Sequence, residues 1–437
     1  MATSRQKHCP HRRRLICFSV LALLVFVLST NRPERHPQVA LLRGLRSCRC
    51  AGGPSEPVVS TSSTLGLGTL KDEYGSRWPS LSAALLRPKR YAVWVNPFAE
   101  PGAAAPLLKS CGLEPLPGFA GEAHLWAPTS EGSISEASSS GWLPKPPSCA
   151  RTGLKLFYPL DLASAMPALT LLEALGASMP ARPLSVLDAC SAPGGKLLVL
   201  AGVLLGCLAK ERPGSSESAP QRNLVAFERD AFRFNRLKQN LRLYLPPAAL
   251  RLVTTIKGDA SQTKQLQRYG PFDGALVDAP CSSERERLLK ALRRQAPKGS
   301  ERPVESSGVF SEGLPESSEA AAALSEPWDV QKAHANARLQ AEILSSVLLN
   351  TSPAGSVVYA TCALSGIEND AVVGKVCDSG ELPFSLHCCA GESEVQRSLP
   401  SPTSGGPEIV EHTARGWQLL PDRGGWGPIY WSLLGFA

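Results

Sequence analysis

The chain has 437 residues, of which 43% are hydrophobic, so it is long enough for one large or two ordinary domains with an ample core. Its net charge of +8 comes from residues 1–50, which hold ten Lys or Arg residues and one acid, whereas the remainder carries 36 bases against 37 acids. This balance excludes a globally basic nucleic-acid-binding domain. The thirteen cysteines contain no C-x-x-C pair, so they indicate neither a zinc site nor a disulfide framework, and they favour a reducing compartment.

The N-terminal segment, residues 1–65, has the features of a targeting sequence. Three arginines at residues 12–14 precede an apolar run over residues 15–28, which is the pattern of a signal peptide or a transmembrane anchor. Residues 32–50 are rich in Arg and nearly free of acids, as transit peptides are. We therefore expect a location in the mitochondrion. A plastid reached by a signal-plus-transit segment and an extended or mis-started N-terminus are the alternatives.

The next residues predict a small folded element and then a linker. Residues 74–98 place aromatic side chains at helical spacing and end in an apolar alternation, so we expect a small N-terminal element over residues 66–126. Residues 127–150 are rich in Ser, Pro and Gly, which predicts a linker. The main domain is expected over residues 151–437, and it begins with a helix near residues 160–175.

The stretch at residues 184–201 has the pattern of a strand, a tight turn and a helix. An apolar run ends on Asp188, the turn Pro193-Gly194-Gly195 brings backbone close to a ligand, and residues 197–205 are apolar and helical in length. The glycines match neither a Walker loop nor G-x-G-x-x-G. A Gly-Gly pair alone marks an ordinary turn, but in an open α/β sheet this position also holds a cofactor.

Four further segments predict strands, each followed closely by a carboxylate or a cysteine. They cover residues 223–228, 250–256, 272–277 and 356–360, and the residues at or near their ends are Glu228, Asp259, Asp278 and Cys362. Helices are expected over residues 333–350 and 231–244, and the basic face of the latter is either simply solvated or an RNA contact. Residues 287–326 lack an apolar period, so we expect a flexible insert. The alternation predicts an α/β fold with a Rossmann-like sheet.

Two cysteines follow strand ends that such a sheet would bring together. Cys281 follows Asp278-Ala279-Pro280, and Cys362 follows the strand at residues 356–360. A single free cysteine is more often an inert, buried small hydrophobe. Because these two share strand-end positions with three carboxylates, we expect one pocket that carries chemistry.

Three motifs occur in a fixed order: VLDACSAPGGK at residues 186–196, VDAPCSS at 277–283 and VVYATCALSGIEND at 357–370. In order and spacing they resemble the NOL1/NOP2/Sun (NSUN) family of RNA cytosine-C5 methyltransferases, over roughly residues 160–435. The Trp78-Pro79 region, residues 91–98 and the closing Trp-Gly-Pro-Ile-Tyr resemble the mitochondrial branch most, which includes enzymes for small-subunit ribosomal RNA and for a mitochondrial transfer RNA. The resemblance implies a class I S-adenosylmethionine-dependent methyltransferase sheet.

The chemistry of that family explains why a cysteine is needed. Cytosine C5 is too weakly nucleophilic to take a methyl group, so a thiolate must first add to C6. By resemblance, Cys362 is this nucleophile and Cys281 assists release of the methylated product. Asp278, kept protonated by burial, is the acid expected at N3, and Lys196 is expected near the reaction centre.

The resemblance also implies a cofactor site at the strand ends, with Asp278 among its residues. Glu228 would accept from both ribose hydroxyls, and Asp259 from the adenine amino group. The methionine part and the ribose would be wrapped by Asp188, Cys190, Ser191, Ala192, Pro193, Gly194, Gly195 and Lys196. The chain departs from the family at Glu228, where Asp is frequent, at Leu197, where Thr or Ser is frequent, and in its long insert after Cys281.

The expected activity is methylation of organellar ribosomal RNA, with RNA as the partner, S-adenosylmethionine as the cofactor and no metal. Methylation of transfer RNA is one alternative, and a non-catalytic RNA-binding or ribosome assembly factor on the same fold is another. The latter would be signalled by a lost cysteine or carboxylate, and none is missing. A protein or small-molecule methyltransferase would not need both cysteines. Whether a protein partner targets the RNA stays open.

Overall fold

The computed structural model describes residues 68–87, 89–117, 123–128, 143–176, 183–206, 222–295, 328–389 and 409–436. The predicted targeting segment, residues 1–65, and its apolar run lie outside the described residues, as do part of the predicted linker and most of the predicted insert. Within the ranges that are described, no helix is both long and apolar enough to cross a membrane.

The N-terminal part forms two short helices and a four-stranded antiparallel sheet. The helices, α1 and α2, are joined by a 3-10 turn and cover Gly68–Tyr74 and Trp78–Leu86. The elements of the sheet region are β1 (Ala92–Val95), α3 (Ala105–Ser110), β2 (Leu113–Pro115), β3 (Leu125–Pro128) and β4 (Phe157–Leu160). The strands lie in the order β2-β3-β1-β4. This sheet therefore takes its fourth strand from beyond residue 150.

The remaining elements form the main sheet and the helices that cover it. In chain order they are α4 (Leu162–Gly176), β5 (Leu184–Asp188), α5 (Gly195–Leu204), β6 (Arg222–Glu228), α6 (Ala231–Tyr244), α7 (Pro247–Leu250), β7 (Val253–Lys257), α8 (Thr263–Leu266), β8 (Phe272–Asp278), α9 (Glu284–Gln295), α10 (Val330–Leu349), β9 (Thr351–Thr361), α11 (Asp370–Asp378), β10 (Leu386–Cys389), β11 (Val410–His412), β12 (Trp417–Leu419) and β13 (Ile429–Phe436).

The main sheet is parallel at its centre and antiparallel at one side. Its strand order is β11-β12-β13-β9-β8-β5-β6-β7, and β10 also pairs with β13. Strands β5 to β9 are parallel to one another. Strand β13 pairs with β9 and runs antiparallel to it. The order reverses at β5, whose carboxyl end therefore faces a crevice beside that of β8, and such a crevice is where open α/β sheets bind ligands. The predicted Rossmann-like α/β fold is confirmed.

The strands at the centre of the sheet are buried on both faces, so most of their residues are apolar, with Asp188 and Asp278 at their carboxyl ends. Val186 of β5 and Leu276 of β8 lie in one core with α4, α5 and α6. Their neighbours Leu187 and Val277 lie in a second core with α10 and α11. This alternation with period two places a layer of helices on each side of the sheet and fixes which residues end at the crevice.

The small N-terminal sheet packs directly on the helices beside that crevice. Trp94 of β1 is fully buried, and a Cβ atom added to Gly202 of α5 would lie 2.9 Å from its Nε1 atom. Asn96 Nδ2 donates to the carbonyl oxygen of Tyr244, at the end of α6, over 2.8 Å. The small sheet thus supports the helix that follows the glycine turn.

The start of the predicted flexible insert is helical. Helix α9 covers residues 284–295, and its Leu288 and Leu289 are buried. Leu288 packs in a cluster with Trp328 and with Leu85 of α2. Residues 287–295 of the predicted flexible insert are therefore helical, because the burial of Leu288 and Leu289 offsets the charged composition of the helix. Residues 296–326 lie outside the described residues.

Candidate active site

A cavity of about 400 Å³ opens at the carboxyl ends of β5, β8 and β9. The predicted site residues in its wall are Asp188, Cys190, Ser191, Ala192, Pro193, Gly195, Lys196, Asp278 and Cys362. Cys281 touches Cys362 beside the wall. Glu228 lies at the end of β6 and Asp259 two residues past β7, on the neighbouring strands. The structure therefore groups the predicted residues along one edge of the sheet.

The turn after β5 needs glycine at two positions. Gly194 has a φ of 108°, a backbone conformation that side chains with a Cβ atom rarely adopt. A Cβ atom on Gly195 would lie 3.0 Å from Cε1 of Tyr158, which lines the cavity. The two glycines therefore let α5 begin close against the cavity wall.

Two buried carboxylates at the ends of β5 and β6 each keep one oxygen that accepts no hydrogen bond. Asp188 Oδ2 accepts from the Ser191 hydroxyl over 2.8 Å, and burial raises the pKa of Asp188 to about 7. Glu228 Oε1 accepts from the backbone N–H of Asp230 over 2.8 Å. In the described part of the chain, Asp188 Oδ1 and Glu228 Oε2 accept no hydrogen bond, although Arg233 Nε lies 3.6 Å from Glu228 Oε2 as an ion-pair partner. Since buried acceptors are rarely left unpaired, these oxygens suit a ligand with amino or hydroxyl groups.

Asp259 is engaged by its neighbours in the chain. Its Oδ1 atom accepts from the hydroxyl and the backbone N–H of Ser261, over 2.8 Å and 3.0 Å, and Arg229 lies 3.5 Å from Oδ2. Partial burial alone would raise the pKa of Asp259, but these donors hold it below its usual range. Oδ2 is the atom of this carboxylate that faces fewer donors.

Lys196 and Asp278 form an ion pair in the cavity wall. Lys196 Nζ donates to Asp278 Oδ2 over 2.7 Å and to the hydroxyl of Ser164 over 2.9 Å. Burial alone would lower the pKa of Lys196, but the Asp278 carboxylate raises it. The side chain of Asp278 is 30% exposed and lies against the Lys196 ammonium, and the assignment of Asp278 as the acid at N3 stays a prediction.

The sulfur atoms of Cys281 and Cys362 lie 3.1 Å apart. Hydrogen bonds from Cys281 and then from Ser283 lower the pKa of Cys362, against the effect of burial. The same contact with Cys362, together with burial, raises the pKa of Cys281. The pair therefore favours a thiolate on Cys362 and a neutral thiol on Cys281 that donates to it.

A buried carboxylate fixes the loop that carries Cys281. Glu368 accepts from the backbone N–H of Ser282 over 3.1 Å and from Gln340 Nε2 over 2.8 Å, and it also accepts from the Ser282 hydroxyl. Gln340 donates in addition to the carbonyl oxygen of Pro280 over 2.8 Å. The Cys281 loop is thus anchored to α10 on both sides of the cysteine.

A second buried carboxylate fixes the loop that carries Cys362. Glu284 accepts from the backbone N–H of Leu364 over 3.1 Å and from Trp328 Nε1 over 3.2 Å. Burial raises the pKa of Glu284 to about 7. The hydroxyl of Thr361 donates to Asn369 Oδ1 over 2.5 Å, which closes the same loop. Both cysteines are therefore held on rigid supports.

Five residues of this site were not predicted from the sequence, and they are Ser164, Ser283, Glu284, Arg285 and Glu368. Arg285 donates to the carbonyl oxygen of Gly427, whose N–H donates to Asp161 over 3.2 Å, and these residues line the cavity opposite the glycine turn. The signal was their position, since Ser283 ends the VDAPCSS segment, Glu284 and Arg285 directly follow it, and Glu368 lies in the IEND segment. Ser164 had no comparable signal.

Comparisons with known proteins identify relatives among the RNA cytosine-C5 methyltransferases. A family model described as 16S rRNA methyltransferase RsmB/F matches residues 179–296. The 5-cytosine rRNA methyltransferase NSUN4 of Mus musculus is 27% identical, and the match covers 70% of each chain. The mitochondrial tRNA (cytosine(34)-C(5))-methyltransferase of Danio rerio is 27% identical over 83% of this chain and 84% of its own. The crystal structure of NSun6 from Pyrococcus horikoshii shares the fold, with a TM-score of 0.50 and 16% identity, over 84% of this chain and 96% of its own.

Proposed function

Because the chain belongs to the NOL1/NOP2/Sun family of RNA cytosine-C5 methyltransferases, we propose that it methylates organellar ribosomal RNA through an adduct between Cys362 and cytosine C6. The broader activity, RNA (cytosine-5)-methylation with S-adenosylmethionine, follows from the family. One observation carries the proposal of a covalent adduct. The sulfurs of Cys281 and Cys362 lie 3.1 Å apart, in the same site as the Lys196–Asp278 ion pair.

Cys362 is the nucleophile in this proposal. Its sulfur forms a bond to C6, and the electrons of the C5–C6 double bond shift so that C5 becomes an enamine carbon. The lowered pKa of Cys362 supports this role because the thiolate is the attacking species. The pKa of Cys281 is raised, so its neutral thiol can donate a hydrogen bond to the Cys362 sulfur and support the thiolate.

The Lys196–Asp278 pair supplies the proton that N3 of the cytosine needs. Negative charge runs towards N3 as the adduct forms, and a proton placed there stabilises it. In the ion pair the exchangeable proton resides on Lys196, so the pair acts as a unit rather than Asp278 alone. After methylation H5 must leave to a base, the electrons re-form the C5–C6 double bond, and the sulfur–C6 bond breaks. Cys281 assists that last step.

The crevice fits S-adenosylmethionine. The cofactor supplies an electrophilic methyl group. Asp188 Oδ1, which accepts no hydrogen bond, suits the amino group of the cofactor, and Glu228 Oε2, which faces Arg233 Nε at 3.6 Å, suits its ribose hydroxyls. Asp259 Oδ2 is offered to the adenine amino group at the end of the neighbouring strand, while Cys190 to Lys196 form the wall between them.

The substrate is proposed from the relatives and the targeting segment. The murine relative is named as an rRNA enzyme and the zebrafish relative as a mitochondrial tRNA enzyme, and both matches cover at least 70% of this chain. Ribosomal RNA of the mitochondrion is the substrate that we propose. Transfer RNA is kept as a second candidate, since the match to the zebrafish tRNA enzyme covers 83% of this chain. The basic segment at residues 1–50 supports an organellar location.

Bisulfite sequencing of organellar RNA from cells with and without the gene tests this proposal. We expect one cytosine of the small-subunit ribosomal RNA to lose its protection when the gene is absent, and to regain it when the wild-type gene is restored. A change confined to a transfer RNA would replace the substrate assignment. Unchanged protection in every organellar RNA would contradict the proposal.

A further inference from the structure

Ser283 adopts a backbone conformation that its residue type avoids. Its φ is 51°, in the left-handed region, where a Cβ atom is strained. Residues in such conformations persist where the surroundings impose them, and they cluster at functional sites. Ser283 lies two residues after Cys281 and lines the same cavity as Cys362. Its position therefore calls for an account beyond packing.

The side chain of Ser283 touches both sulfurs. Its Oγ atom lies 3.2 Å from Cys362 Sγ and 3.4 Å from Cys281 Sγ. It lies 3.5 Å from the carbonyl oxygen of Cys281. The hydroxyl has one proton, so it can donate to only one of these partners at a time. Because the pKa of Cys362 is lowered and that of Cys281 is raised, Cys362 is the cysteine that ionises more readily, and its sulfur is the stronger acceptor.

The other groups that face Cys362 act on its thiolate in opposite directions. Burial and the negative charges of Asp278 and Glu284 disfavour it. Lys196 is the cation whose charge acts on Cys362, and its hydrogen bonds go to Asp278 and Ser164. The S–H of Cys281 provides one donor. A second donor at the sulfur is what Ser283 offers.

We propose that Ser283 is a positioning residue whose left-handed backbone turns its hydroxyl onto Cys362 Sγ, where it donates a hydrogen bond that keeps the nucleophile ionised before RNA binds. The proposal rests on the proposed role of Cys362. It assigns a part in the reaction to Ser283, the last residue of the VDAPCSS motif, for which the family resemblance implied no role, and it explains why a serine keeps a left-handed backbone that glycine would adopt without strain.

The test measures alkylation of Cys362 by iodoacetamide between pH 5.5 and 9.5, with the modified peptides separated by mass spectrometry. It uses the full chain without RNA or cofactor. We expect Ser283→Ala and Ser283→Gly to raise the midpoint of the Cys362 profile by about one pH unit, and to slow alkylation at pH 6 roughly tenfold, because a hydrogen bond to a charged sulfur is lost. Ser283→Thr keeps a hydroxyl and is expected to keep the midpoint.

Melting temperatures of the same variants separate this role from a merely structural one. Glycine tolerates the left-handed backbone, so Ser283→Gly should melt above Ser283→Ala, although both lose the hydroxyl. Threonine is β-branched, so Ser283→Thr should melt below the wild type and still keep the midpoint. Ser282→Ala is the control, since Ser282 bonds to Glu368 rather than to the sulfurs, and it should lower the melting temperature without moving the midpoint.

Unchanged midpoints in the Ala and Gly variants would overturn the proposal, and so would midpoints that follow the melting temperatures through all variants. The measurement is independent of RNA methylation. A wild type that methylates no RNA but shows the expected shifts would therefore remove the proposed function and leave the assignment of Ser283 standing.

Discussion

Glu284 should make the stability of the protein fall as the pH rises. Glu284 is 3% exposed, and burial, together with the nearby charge of Glu368, raises the pKa of its carboxyl to about 7 from its ordinary value of 4.5. A carboxylate with a raised pKa binds its proton more tightly in the folded state. Its contribution is thus fully present below pH 4.5 and is lost as the pH rises through about 7.

The size of the effect follows from the shift. A change of one pKa unit corresponds to about 1.4 kcal/mol, so the wild type should lose roughly 2–3 kcal/mol of unfolding free energy between pH 5 and pH 8 through this group alone. Glu284→Gln cannot titrate. Its free energy of unfolding is expected to change less over this range, even though the amide replaces one acceptor for Leu364 or Trp328 and lowers the stability by a constant amount.

Urea unfolding at pH 5, 6, 7 and 8 measures the difference between the wild type and Glu284→Gln at each pH. The exposed Glu381→Gln is the control, and its difference from the wild type should not depend on pH. A difference between the wild type and Glu284→Gln that stays constant would refute the reasoning. One that grows in favour of the wild type as the pH rises would show that the sign is wrong.

Three other predictions concern the crevice and its support. Glu228→Ala should weaken S-adenosylmethionine binding tenfold to a hundredfold, since hydrogen bonds to a charged group contribute about 1.5–3 kcal/mol, and calorimetry that finds unchanged affinity would remove Glu228 from the site. Gly202→Val should lower the free energy of unfolding in urea by about 1–3 kcal/mol, because the new side chain would collide with Trp94. Gly206→Val, with open space around it, should lower it far less, and equal losses would contradict this packing. Iodoacetamide at pH 8 should modify Cys362 much faster than Cys190, because burial raises the pKa of Cys190, and equal rates in a peptide map would count against the assigned ionisation.

The parts of the fold that the sequence predicted are those in which local pattern and tertiary burial agree. The strand ending on Asp188, the glycine turn and helix α6 lie where the apolar periods place them. Strands that are buried on both faces leave a continuous apolar run, and their carboxyl ends then bring distant residues together. This is why Cys281 and Cys362 could be assigned to one pocket although 81 residues separate them.

The parts that the sequence did not predict depend on contacts between distant segments. Helix α9 has the composition of a solvated loop, and only the burial of Leu288 against Trp328 and α2 explains it. The ion pair of Asp278 with Lys196 joins two elements that are distant in the sequence, so this partner could not be deduced from the strand that ends on Asp278. Ser283 could not be singled out, because its importance arises from one left-handed backbone angle and two sulfur contacts.

The central claim is that Cys362 attacks the cytosine and Cys281 assists release, and one denaturing gel tests it directly. Labelled substrate RNA and S-adenosylmethionine are incubated with the wild type, Cys362→Ala and Cys281→Ala. A protein–RNA complex that resists denaturation is expected to accumulate with Cys281→Ala, which can still attack, and to be absent with Cys362→Ala, which cannot form the adduct. A complex that accumulates instead with Cys362→Ala, or with neither variant although both are folded, would contradict the account.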